Sequence, residues 1–158
     1  MDMTYIDGRP AAGIAGHVEN VLDRLGRFPA SARLLLARVA VGAVFWKSGM
    51  TKIASWPQTL ALFEDEYQVP LLPPDLAAWL ATSAELTAPV LLVVGIAARL
   101  GALALLGMTA VIQVFVYPHA WAEHLLWATL LAMILTEGPG RLSIDHLVRR
   151  VAFGDGAR

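Results

Sequence analysis

The stretch LLLARVAVGAVFWKSGMTKI, residues 34–53, decides the fold. It is long and apolar enough to cross the roughly 30 Å hydrocarbon core of a bilayer. Yet it carries Arg38, Lys47 and Lys52. A charge near the centre of a membrane helix costs about 2.5–3.5 kcal/mol even on mild insertion scales, so each cation needs a partner, water or a route to the interface. On a wheel at about 100° per residue, Arg38, Gly42, Phe45, Gly49 and Lys52 fall in one narrow sector. Two glycines and an arginine gain nothing from lipid, so this sector should face protein, with the glycines admitting a close neighbour. Lys47 lies on the opposite side, where a lysine near the end of a span can snorkel to the interface.

Three further apolar runs follow, at about 76–97, 100–117 and 122–137, each near the length of a span. Over the 158 residues, 57% are hydrophobic and 16% charged, with a mean hydropathy of +0.59. Soluble domains carry roughly 25% charged residues. The expected fold is therefore all-α, a four-transmembrane-helix bundle with short amphipathic interfacial helices; a soluble bundle of buried helices is the weaker alternative. The first run follows many polar residues and no A-x-A pattern closes it, which reads as a retained span, not a signal peptide. Net charge is −1 with no basic tract, so no nucleic-acid partner is expected. With no cysteine, the chain has no disulfide relay, no thiolate metal site and no iron–sulfur cluster on thiolates of its own.

Arginines set the expected orientation. Arg24, Arg27 and Arg33 precede the first span, Arg99 lies between the second and third, and Arg141, Arg149 and Arg150 follow the fourth. All three segments should be cytoplasmic, with both termini inside, and Trp56, Trp79, Tyr117 and Trp121 then fall in an outer aromatic belt. Residues 1–32 read as a cytoplasmic N-terminal segment with an amphipathic helix in HVENVLDRLGRF. Residues 33–137 form the membrane domain, and 138–158 a cytoplasmic C-terminal amphipathic helix and tail, with Ile144, Leu147, Val148 and Val151 on one face. SWPQTLALFEDEY, residues 55–67, reads as an outer amphipathic helix. Ser55 and Gln58 suit an N-cap box, Pro57 a first turn, and Leu60, Phe63 and Tyr67 would cover the outer mouth.

The polar residues within the spans are the candidate functional set. Glu85, in AAWLATSAELTAP, lies roughly 13 Å below the outer end of its helix. Arg38 is its preferred partner, because both faces are built of small residues, and Lys47 is the alternative. Gln113 could meet Glu85 or a ligand, or make an ordinary interhelical hydrogen bond. The expected intramembrane cluster is thus Arg38, Lys47, Glu85 and Gln113, with Gly42, Phe45 and Gly49 packing the helices. At the outer mouth stand Lys52, paired with Glu64, Asp65 or Glu66, and His119, Glu123 and His124. His119 and Glu123 share a four-residue spacing but lack a defined third ligand, so they are weak metal candidates and no metal site is assigned.

RVAVGAVFWKSGMTK, Glu85 with PVLLVVGIAARLGAL, and HLLWATLLAMILTEGPGRLSIDHL occur in that order over about residues 33–147. In these motifs the chain resembles the DoxX family of small four-helix membrane proteins. The resemblance implies a bacterial inner-membrane protein associated with redox processes. Relatives include a quinone-linked subunit of a thiosulfate-oxidising enzyme and a membrane partner in an oxidative-stress complex. The segment VIQVFVYPHAWAEHLLWA is similar to members found beside multinuclear iron oxygenases and small metal-binding peptides, which implies a role in metal stress or peptide modification. The expected function is a membrane subunit or anchor of a redox or metal-stress system. A quinone-like ligand would sit in an outer-half pocket lined by Glu85, Gln113, Lys47, Phe45 and Trp46. As an oxidoreductase subunit it would need a protein partner to supply electrons, since the chain has no thiols, haem-attachment motif or flavin fingerprint. The alternatives are a non-catalytic assembly factor and a small-solute or proton transporter. The bilayer is an expected partner, and a homo-oligomer is left open.

Overall fold

The computed structural model describes residues 13–154, and every regular element among them is helical. The first twelve residues of the N-terminal segment and the last four of the tail lie outside the described residues. The order is α1 (Ile14–Gly26), α2 (Ala30–Ala54), α3 (Trp56–Ala61) running into a π-helical stretch (Leu62–Tyr67), and α4 (Pro74–Val94). Then come α5 (Ala98–Val111), extended by a second π-helical stretch (Ile112–Val116), α6 (Trp121–Glu137) and α7 (Ile144–Phe153).

Along α2 the buried residues are Leu34, Ala37, Arg38, Val41, Gly42, Phe45 and Gly49, spacings of three and four that trace one stripe of a helix. That stripe packs on α4 and α6, and α5 packs on the same two helices, so α2, α4, α5 and α6 close a ring. Glycine sets the approach of α2 to α4. A Cβ at Gly49 would lie 2.9 Å from Leu86 Cδ2 and 3.1 Å from Glu85 Cβ, and one at Gly42 would lie 3.2 Å from Val93 Cγ2. A side chain at Gly49 would have to displace Leu86 and press on Glu85, while one at Gly42 would need Val93 to give by a few tenths of an ångström.

Among the described residues three helical stretches are long and apolar enough to cross a membrane: Ala30–Ala54, Pro74–Val94 and Ala98–Val116, with mean hydropathies of 1.2, 1.6 and 1.8. The fourth expected span, α6, has 17 residues. At 1.5 Å per residue it is about 25 Å long. The second span also ends earlier than expected, at Val94 instead of residue 97. Gly95 takes a left-handed conformation (φ 75°), and its N–H and that of Ile96 both return to Leu91 O.

The end of the ring where α2 finishes and α4 begins is here the upper end; Gly95 and Gly138 mark the lower. Two apolar clusters fill the ring. One, around Val41, Phe45, Leu92, Leu105, Leu131 and Ile134, occupies its body; the other joins Phe63 to Ala77 and Ala78 beneath the 56–67 helix. That helix is fastened by Thr59, whose hydroxyl donates to Lys52 O at 2.9 Å. The expected Ser55–Gln58 box does not form. Ser55 makes no side-chain cap, and its backbone oxygen accepts from Thr59 N–H instead. Phe63 is buried, while Glu64 and Glu66 are exposed. On α1 and α7, Val18, Val21, Leu22, Leu147, Val148 and Val151 are all largely exposed.

Candidate functional site

Between the two apolar clusters, at the upper end, lies a cavity of about 600 Å³. Phe45, Trp127 and His124 form one aromatic wall: Phe45 meets Trp127 edge-on at 5.4 Å, and the His124 ring lies 5.0 Å from Trp127. Phe63, Tyr67 and Tyr117 line it as a second aromatic group, with centroid separations of 4.9 and 5.7 Å along the series. Both π-helical stretches contribute lining residues, Phe63 and Tyr67 from one and Ile112 and Val116 from the other. Such insertions recur at functional sites because they turn side chains out of the α-helical register.

The cavity's charged pair is Lys52 with Glu85. Lys52 Nζ donates to Glu85 Oε1 at 2.8 Å and to Ser48 Oγ at 3.0 Å, and the Ser48 hydroxyl donates to the same Oε1 at 3.0 Å. The three groups form a closed triangle. Glu85 is 3% exposed, and its second oxygen, Oε2, is buried without a hydrogen-bond partner. A buried carboxylate oxygen left unmatched is costly, so a donor brought to this atom by a ligand would be bound favourably.

Several expected placements are corrected here. Arg38 does not pair with Glu85. Glu85 sits beside Gly49, and Arg38 lies eleven residues further down the same helix, about 16 Å away along the axis. No arginine side chain closes that distance, whereas Lys52 is one turn above Gly49. Lys52 is accordingly not an outer-surface residue bound to Glu64, Asp65 or Glu66; its side chain is 12% exposed and turned inward. Lys47 and Trp46 are exposed and do not line the cavity, so Lys47 is not the partner of Glu85 either. Gln113 meets neither Glu85 nor the cavity wall. Its Oε1 lies 2.7 Å from His124 Nδ1, and its Nε2 donates to Pro118 O at 2.8 Å. His119 is exposed, Glu123 is exposed at the cavity margin, and His124 is buried. Among the described residues no three His, Cys, Asp or Glu side chains are grouped to hold a metal ion.

Arg38 has its own site at the lower end, fully buried. Its guanidinium donates to Leu92 O at 3.3 Å and to Leu142 O, in the loop after α6. Gly95 lies against it, where a Cβ would collide with the guanidinium and with Ser143. Close by, Asp145 accepts from Ala97 N–H at 2.9 Å and Ala98 N–H at 3.1 Å, and its own N–H donates to Gly95 O. Asp145 thereby caps α5 from a residue of α7 and holds Ala97 in a left-handed conformation (φ 48°). Asp145 and Ser48 were not singled out from the sequence. An acidic residue in the first turn of an amphipathic helix was the only signal for Asp145, and a serine one turn before Lys52 the only one for Ser48.

Tyr117 closes the rim opposite the 56–67 helix. Its hydroxyl donates to Glu66 at 2.9 Å and contacts the Tyr67 hydroxyl at 3.4 Å. The bond to Tyr67, burial and the bond to Glu66 hold its phenol well above the ordinary value, so it keeps its proton throughout the neutral range.

Apolar helices of membrane-crossing length arranged around a buried ion pair and an aromatic cavity define a multi-pass α-helical membrane protein in contact with the lipid bilayer. The chain belongs to the DoxX family, whose model matches residues 33–118. It is similar to an uncharacterized protein of Haemophilus influenzae, 31% identical over 133 residues that cover 75% of this chain and 84% of the relative. No solved structure matches.

Proposed function

We propose that this protein is a bacterial inner-membrane subunit of a redox or metal-stress system that holds a quinone-like molecule in its upper cavity. The observation that carries the reading is Glu85 Oε2, a buried and unmatched acceptor in the wall of a largely apolar, aromatic chamber. Ligand sites typically measure about 300–1,000 Å³ and place a few convergent polar groups among apolar walls. A cavity of about 600 Å³ with Glu85, Lys52, Ser48 and His124 fits a ring with oxygen substituents. Phe45 and Trp127 would pack its faces, Lys52 and Glu85 would orient one oxygen, and the 56–67 helix would keep water out. Such a group, when bound, supplies two-electron, two-proton redox chemistry. The chain carries no thiols of its own, so a protein partner supplies or takes the electrons.

In the same reading α2, α4, α5 and α6 are all spans, since 17 residues is the lower limit for crossing. Residues 33–137 form the membrane domain, flanked by the N-terminal segment 1–32 and the C-terminal segment 138–158. Arg99, Arg141 and Arg149 gather at the lower end, which supports an orientation with that end and both termini on the cytoplasmic side. The exposed apolar faces of α1 and α7 then rest in the inner interface. Cysteine substitutions labelled from outside intact cells should react at Gln68 and not at Arg99; labelling at Arg99 overturns the orientation. For the site, equilibrium dialysis of decylubiquinone against the protein in nanodiscs should show saturable binding to one site. Uptake no greater than that of empty nanodiscs overturns it.

A further inference from the structure

Hydrogen-bond bookkeeping around the cavity fixes more than the shape of its ligand. Pro118 O can only accept, so the Gln113 atom 2.8 Å from it is the amide nitrogen. The amide oxygen therefore faces His124 Nδ1 at 2.7 Å, and because an amide oxygen also only accepts, Nδ1 carries the proton. In the neutral ring Nε2 is then an acceptor. No hydrogen bond to Nε2 is made within the described residues, although the residue is only 4% exposed and lines the cavity. Glu85 Oε2 is a second acceptor without a donor, and this atom is buried. The donors nearby are largely committed. Ser48 gives its proton to Glu85, Tyr117 gives its proton to Glu66, and Lys52 gives two of its three to Glu85 and Ser48. The free donors that remain belong to the less buried Lys52 and Tyr67.

The wall thus holds two unfilled acceptors on deeply buried residues, His124 Nε2 and Glu85 Oε2. A quinone presents only carbonyl oxygens, which also accept, whereas its reduced form presents two O–H donors. We propose that the cavity selects the hydroxyl-bearing form of its aromatic ligand, a hydroquinone or related phenol, with His124 Nε2 and Glu85 Oε2 as the acceptors that recognise it. This rests on the reading of the cavity as a ligand site and goes beyond it by assigning the oxidation state bound and the role of His124. Gln113 is the positioning residue that fixes the tautomer.

The test is anaerobic binding of three matched probes to the full-length protein in nanodiscs: trimethylhydroquinone, trimethylbenzoquinone and the dimethyl ether of the hydroquinone. The hydroquinone should bind about tenfold more tightly than either, about threefold for each of the two acceptors it fills. In His124→Phe that preference should shrink to about threefold, with Glu85 alone discriminating. Gln113→Leu, which frees the histidine to take either tautomer, should fall between. Equal binding of all three probes to the unsubstituted protein overturns the inference while leaving the cavity a ligand site, and this comparison needs no variant to fold. Binding of none of the three overturns the cavity reading together with the inference.

Discussion

The two buried charges facing the interior of the ring differ in what surrounds them. Arg38, at the lower end, is enclosed by backbone: carbonyls of α4 and of the loop after α6 accept from it, and the chain turns at Gly95 to make room. Every partner belongs to the fold. Glu85, at the upper end, is bonded through one oxygen only and keeps the other buried beside a cavity. Each keeps one buried atom unpaired, Nε of Arg38 and Oε2 of Glu85, but of the two residues it is Glu85 that lines the cavity, where a ligand can complete it. The contrast separates two roles that the sequence alone presents as one interacting pair.

That contrast can be broken first at the lower end. Arg38→Met leaves the carbonyls of Leu92 and Leu142 without their donor and removes the cation beside Asp145, so it should cost about 3 kcal/mol or more, a fall of roughly 6–12 °C in the melting temperature in detergent. An unchanged melting temperature would show that the lower site is not structural. Asp145→Ala should have a smaller effect, about 0.5–2 kcal/mol, because it removes the cap of α5 but leaves the packing of the ring. Hydrogen exchange measures this locally: the amides at residues 97 and 98 should lose protection while those in the middle of α5 keep theirs. Uniform loss along α5 would mean that Asp145 holds the whole helix in place.

The inward face of α2 was legible in the sequence. The spacing of Arg38, Gly42, Phe45 and Gly49 assigns them one face of a helix without any knowledge of the neighbour. Run length and hydropathy predict four spans, and three of them are helices long and apolar enough to cross a membrane. The partner of Glu85 was not legible, because its depth was reckoned from assumed helix ends. The register of α2 against α4 is set by the fit of Gly49 against Glu85 and Leu86, which no single-chain pattern encodes. Nor was the Gln113–His124 bond. Gln113 lies in the π-helical stretch, where the register departs from the 100° wheel used to place it. Asp145 was hidden for a different reason. It meets residues almost fifty positions away, and only the left-handed turn at Gly95 and Ala97 brings their N–H groups within reach.

The most direct test removes the upper pair as a unit. Lys52→Met with Glu85→Leu exchanges both charges for apolar side chains, a replacement that is often neutral to stability within about 1–2 kcal/mol because no lone charge is left behind. Its melting temperature should stay within about 5 °C of that of the unsubstituted protein. Binding of decylubiquinone and of trimethylhydroquinone to the double variant in nanodiscs should fall at least tenfold. A stable double variant that binds both probes with unchanged affinity would contradict the account, because Glu85 would then be structural, as Arg38 is.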